Sequence, residues 1–208
     1  LGSARSWYAG FLAGVRRLDE CKIQARAAAD AEPMAPLVQV LAGINLVNAG
    51  SKEGFIYLRR ALEIDPKHPV VNHYFGQKLA LLGHFEEAIP LLEIGFRAGL
   101  VLDAGALAFA YAKLGKVDRV TEIEAQLNDL ATKRYVSHFS RALIALGRGD
   151  EEVCLDCIDA SRQQGELEPM VTECFDCFAP LRDHPRYRRH LQELGIPEGV
   201  NADAVDSS

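Results

Sequence analysis

Cys154-x2-Cys157 is followed, after sixteen residues, by Cys174-x2-Cys177. By spacing alone the four thiols fit a tetrahedral zinc site, provided the two segments lie antiparallel so that both pairs meet at one ion. A zinc knuckle also needs a tight turn at each pair, normally built with Gly or Pro, and neither CLDCIDA nor CFDCF contains one. Both pairs fall in helix-like stretches, where residues i and i+3 share a face. Cys154, Cys157 and Cys174 occupy positions where apolar residues would pack, and free cysteine behaves as a small hydrophobe. Core thiols are the favoured reading, with structural zinc or a regulated disulfide as the alternative. No metal ligand and no cofactor is assigned.

The remaining candidates for chemistry are weaker. His68, His73, His84, His138, His184 and His190 are scattered, and the last two are six residues apart, the wrong interval for one helical face. No H-E-x-x-H, G-x-S-x-G, P-loop or G-x-G-x-x-G pattern occurs. Glu86-Glu87 and Glu151-Glu152 open helical stretches, where acidic groups favour the positive end of the helix dipole. No catalytic residue is assigned, and the chain is expected not to be an enzyme. Arg182, His184, Arg186, Arg188, Arg189 and His190 form a basic run that reads as a solvated face, or as a dock for an acidic partner or another domain.

The elements that carry these residues follow from composition and periodicity. Of 208 residues 49% are apolar, enough for a sizeable core, so most of the chain is expected to be folded. The formal net charge of −6 excludes a main affinity for nucleic-acid phosphate. No apolar run approaches the ~20 residues of a membrane span, and Trp7 to Leu18 is too broken by Gly10, Gly14, Arg16 and Arg17 for a signal peptide. Five cysteines without secretory features point to a reducing, cytoplasmic setting. The opening Leu1-Gly2-Ser3, with no initiator Met, reads as a boundary within something longer.

Gly50, Gly83, Gly115 and Gly147 each end an apolar helix-like stretch before a charged turn. Their separations are 33, 32 and 32 residues. Glycine enters the left-handed C-cap conformation without a Cβ penalty, so each marks the middle of a helix-turn-helix unit. Apolar stripes support the pairing: Phe75, Leu79 and Leu82 against Ala88, Leu91, Leu92 and Phe96, and Leu107, Tyr111 and Leu114 against Val120, Ile123 and Leu127. No alternating strand pattern of useful length occurs. The predicted class is all-α: a right-handed α-solenoid of antiparallel helix hairpins.

The units are residues 35–68, 69–100, 101–132 and 133–165, with a degenerate opening unit at 1–34, capping helices at 166–197 and an acidic tail at 198–208. Phe75-Gly76-x2-Leu79 with Ala88-x3-Leu92, Leu41-Ala42-x2-Asn45 with Gly54-x3-Leu58, Leu107-Ala108-x2-Tyr111, and LRRALEIDP at 58–66 resemble the tetratricopeptide repeat (TPR) family. FAPLRDHPRYRRHLQELGIP at 178–197 is similar to the ends of TPR regions in bacterial multi-domain regulators, with Tyr187, Leu191 and Leu194 forming a capping face. The resemblance implies a scaffold that binds a protein or peptide on its concave face. In that register the groove shows Gln39, Gly43, Leu46 and Val47, then His73, Tyr74, Gln77 and Leu81, then Phe109 and Lys113, then His138 and Arg141. Gln39, Gly43, His73 and Gln77 stand where a chaperone-tail clamp would need Lys and Asn, which argues against that clamp. Trp7, Tyr8 and Phe11 are available for self-association, so a homo-oligomer is a further expectation.

Overall fold

The computed structural model describes residues 2–166 and 176–193. Eleven α-helices and no strand occur among the described residues. They are α1 (Gly2–Gly14), α2 (Leu18–Ala31), α3 (Pro36–Asn48), α4 (Gly54–Ile64), α5 (Pro69–Leu81), α6 (Phe85–Arg97), α7 (Asp103–Lys113), α8 (Val117–Ala131), α9 (His138–Arg148), α10 (Glu151–Gln163) and α11 (Pro185–Glu193), with a short 3-10 helix at Asp176–Leu181 before α11. The all-α class is therefore observed. None of these helices is long and apolar enough to cross a membrane. Cys174 and Leu194 lie outside the described residues.

Six helices, α3, α5, α6, α7, α9 and α10, end at a glycine. Gly50, Gly83, Gly99, Gly115, Gly149 and Gly165 all have φ between +70° and +91°. At each, the glycine N–H and the next N–H turn back onto the helix: Gly165 N reaches Arg162 O at 3.0 Å and Glu166 N reaches Ser161 O at 3.0 Å. This Schellman arrangement satisfies carbonyls that the helix end would leave bare. Gly147 corrects one expectation. It lies inside α9, and Gly149 takes the left-handed turn instead. A Cβ on Gly147 would come within 3.0 Å of Ala112 Cβ and 3.1 Å of Phe109 Cα, so this glycine serves close packing of α9 on α7.

Two compact units divide the chain, the first ending at Phe75 and the second beginning at Gly76, within α5. In the first, α1 packs on α2, both pack on α3, and α3 packs on α4. Its core is built largely of small residues: Ala9, Leu12 and Ala13 meet Cys21, Ala25 and Ala29, and all close against Ala42, Leu46 and Ala49. The small side chains let helix backbones approach closely, and Asn45 Nδ2 crosses the gap to donate to Ser6 O at 2.8 Å. At the α3–α4 crossing the backbones touch. A Cβ on Gly54 would stand 2.4 Å from Gly43 O, and one on Gly43 would stand 2.7 Å from Gly54 O.

In the second unit α7 is the central helix, contacting α6, α8 and α9, while α9 packs on α10 and α10 on α11. Gly105 of α7 meets the backbone of Ser140 in α9, where an added Cβ would fall 2.6 Å from Ser140 Cα. Beyond α9 an aromatic column runs from Phe139 to Phe178, with centroids 6.0 Å apart, and on to Tyr187, stacked on Phe178 at 6.3 Å and 9°. Phe178, Leu181, Tyr187 and Leu191 are buried, so the C-terminal segment puts an apolar face inward.

Part of the basic run at 182–190 is used within the chain. Arg186 donates to Glu152 at 3.0 Å, Asp156 at 2.7 Å and Asp159 at 2.8 Å, an acidic stripe along α10. His184 Nε2 stands 3.3 Å from Glu152, Arg188 pairs with Asp183 at 2.6 Å, and Arg162 of α10 pairs with Glu193. Hydrogen bonds from Arg186 to Asp159 and Asp156 raise the guanidinium's pKa further. Both His190 and Tyr187 are buried. Arg186 therefore clamps α11 to α10, which accounts for the strongest charge in the run without an outside partner.

Candidate functional site

A cleft of about 250 Å³ opens between α8, α9 and α10. Leu127, Ile144, Ala145, Val153 and Cys157 supply apolar lining, while Glu124, Asn128, Arg141, Arg148 and Asp150 supply polar groups. Most of those polar groups are already engaged. Arg148 is paired with Glu124 across α9 and α8. Asp150 caps α10, its Oδ1 accepting from Val153 N at 3.2 Å, a bond that satisfies an otherwise bare amide. Arg141 differs. Among the described residues its guanidinium donates only to the neutral amide oxygen of Asn128, at 3.2 Å. Its charge has no bonded carboxylate, and it sits beside apolar floor.

Arg141 lies in the first turn of α9, so whatever fixes the start of α9 fixes Arg141. Ser137 is the N-cap, its Oγ accepting from Phe139 N at 3.1 Å. The larger part is played by Glu166, twenty-eight residues on from His138. Its Oε1 accepts from His138 N at 2.8 Å and from the Tyr135 hydroxyl. Its Oε2 accepts from Ser137 Oγ at 2.7 Å, Ser161 Oγ at 2.5 Å and Phe139 N at 3.1 Å. A carboxylate thus sits on the positive end of α9, where bare amides and the helix dipole favour negative charge. Burial pushes the Glu166 carboxyl up, but the bonds from Ser161, Tyr135, Ser137 and His138 outweigh it and hold the pKa at about 2. The left-handed turn at Gly165 swings Glu166 back to reach this position.

Placement of the expected groove residues is uneven. Gln39 has no exposed surface, and its Nε2 donates to Ala29 O at 2.9 Å and Glu32 O at 3.1 Å, tying α3 to the end of α2. Gly43 lies in the α3–α4 backbone contact. Neither presents a group to a partner. His73 is buried and its ring lies 4.9 Å from that of Tyr74, which is half-buried. Gln77 is half-buried in the second unit. Phe109 is buried edge-on to Phe85 at 5.7 Å, with the exposed Lys113 ammonium 5.4 Å from its ring centre. His138 is half-buried beside Tyr135, ring centroids 6.3 Å apart. Of the expected groove residues, Arg141 alone lines the cleft. Glu166 was missed because its role depends on the turn at Gly165, and Asn128 and Glu124 because only packing brings α8 beside Arg141 and Arg148 of α9.

The cysteine pairs are split between two settings. Cys154 is fully buried, and burial, with the neighbouring Cys157 thiol second, pushes its thiol up to about 12. Cys157 is half-buried at the cleft, raised by burial and partly offset by Arg141. No disulfide joins Cys21, Cys154, Cys157 and Cys177 among the described residues. No group of three or more metal-ligating side chains occurs among the described residues. A neutral, buried thiol reacts slowly because the thiolate is the nucleophile. Iodoacetamide labelling followed by peptide mapping is expected to modify Cys154 at least about a hundredfold more slowly in the folded chain than in urea. Equal rates would contradict a core role for it.

No family model, curated protein or solved structure matches the chain.

Proposed function

We propose that the chain is a non-enzymatic interaction module of tetratricopeptide type, its helix pairs stacked as a solenoid. It binds an extended segment of a protein partner at the α8–α9–α10 cleft. Helices of 11 to 15 residues between the Schellman glycines, and packing of each of α7 and α9 on its neighbours, support the architecture. One observation carries the function: Arg141 offers a guanidinium fork that bonds no carboxylate among the described residues, above the floor of Leu127, Ile144 and Ala145. A fork of this kind fits a carboxylate in bidentate geometry. The apolar floor fits one aliphatic side chain next to it. The favoured ligand is a peptide with an acidic group, side chain or C-terminus, flanking an aliphatic residue.

Because Glu166 and Ser137 hold α9 before any partner arrives, little ordering cost falls on binding. The test is an array of short peptides probed with the wild-type chain and with Arg141→Ala. Peptides that carry a carboxylate next to Leu, Ile or Val are expected to be retained by the wild type and to lose about tenfold in affinity with the variant, the worth of one charge-assisted contact. Retention of the same peptides at equal strength by both chains refutes the cleft as the binding site.

A further inference from the structure

We propose that α1 docks against α1 of a second copy of this chain, about a two-fold axis passing beside Phe11. The helix is apolar nearly all the way round. Ala9, Leu12 and Ala13 are buried in the core of their own unit. Trp7 at 61%, Tyr8 at 46% and Phe11 at 60% stay exposed along α1, and Val15 at 47% carries the stripe one residue past its last residue, its N–H still bonded to Phe11 O. Arg5 is the one charged residue between Gly2 and Gly14. A helix with two apolar faces calls for cover on both. Among the described residues of its own unit, nothing covers the second face, where these side chains stay exposed.

Two features select another copy of the same surface as that cover. Trp7, Phe11 and Val15 are evenly spaced, four residues apart, so they lie along one side of the helix. Laid antiparallel on itself about Phe11, the stripe sets Phe11 against Phe11 and Trp7 against Val15, in both directions at once. A two-fold contact needs this self-complementarity, because the same patch must serve both partners. Area agrees with it. The four side chains expose roughly 500 Å² per copy, so a pair buries roughly 1,000 Å², near the lower bound of a specific interface. Aromatic residues dominate the patch, as they do in the anchors of protein interfaces.

Trp7 is the only tryptophan, so its emission reports this surface alone. Sedimentation and light scattering of the chain from low to high micromolar are expected to show a monomer passing to a dimer. The Trp7 emission should shift to shorter wavelength over the same range. Phe11→Glu, at a position exposed in the single chain, is expected to weaken the dimer about a hundredfold or more and to leave the helical circular dichroism unchanged. A wild-type chain that stays monomeric at high micromolar, with constant Trp7 emission, overturns the proposal whether or not the variant folds. A blue shift that appears only on adding phosphatidylcholine–phosphatidylglycerol vesicles also overturns it, since the face would then bind lipid. A dimer that Phe11→Glu leaves intact overturns it too.

Discussion

Replacing Glu166 by alanine is expected to destabilise the second unit by about 2–4 kcal/mol, read as a lower urea midpoint at constant slope. The size follows from what the carboxylate does. It accepts from two backbone amides and three hydroxyls, and removing it leaves several half-buried donors without a partner. Water replaces part of this, since Glu166 is half-buried, which keeps the figure below the full desolvation cost. Glu166→Gln separates charge from shape. The amide keeps one acceptor oxygen and turns an NH2 toward donors, so it should recover less than half of the loss.

The same group sets a pH dependence. Its pKa lies at about 2 in the folded chain against an ordinary 4.5. A carboxyl whose folded pKa is depressed contributes stability that is present above the unfolded value and lost as pH falls through the folded one. The loss therefore runs from about pH 4.5 down to about pH 2 and amounts to about 2 kcal/mol after allowance for solvent screening. In Glu166→Gln this part of the acid slope should be absent. A variant with the wild-type slope between these pH values would show that Glu166 is not the titrating group.

Gly105→Val is expected to have an effect at least as large, about 3 kcal/mol or more. Nothing flexible stands in the way of the new Cβ. It would lie 2.6 Å from Ser140 Cα and 2.7 Å from Ser140 O, both backbone, so α7 and α9 must separate. Gly105→Ala is the sharper comparison. Alanine is the better helix former by about 1 kcal/mol, so propensity alone predicts stabilisation, whereas the close approach predicts a net loss of about 1–2 kcal/mol. Gly54→Ala should behave likewise, with Gly43 O 2.4 Å from the added carbon. Thermal melts of the two alanine variants decide the sign, and a rise in Tm for either would contradict backbone contact at that crossing.

Much of the helical order was legible in the sequence because it rests on local rules. Gly50, Gly83 and Gly115 could be placed from an apolar stretch ending at glycine, since a left-handed C-cap needs little beyond its own turn. Gly147 was misassigned for a physical reason. Two glycines two residues apart both follow the stripe of α9, and only the contact with Phe109 and Ala112 separates the packing glycine from the capping one. Gln39 resembles a groove residue by register, yet its amide closes backbone carbonyls at the end of α2, a need invisible until α2 and α3 are packed. The basic run on α11 reads as free charge only while the acidic stripe of α10 is not yet placed beside it. Glu166 shows the limit most clearly. As one acidic residue after a glycine it carries no signal, and its role appears when the chain folds back by twenty-eight residues onto α9.

Binding at the Arg141 cleft is tested most directly by an amide NMR titration of the isotope-labelled chain with a carboxylate-bearing peptide retained on the array. Shifts concentrated at Asn128, Arg141, Ile144, Arg148 and Val153, and lost in Arg141→Ala, are the predicted result. Shifts centred on α1 or around Lys113, or a pattern unchanged in the variant, would contradict it.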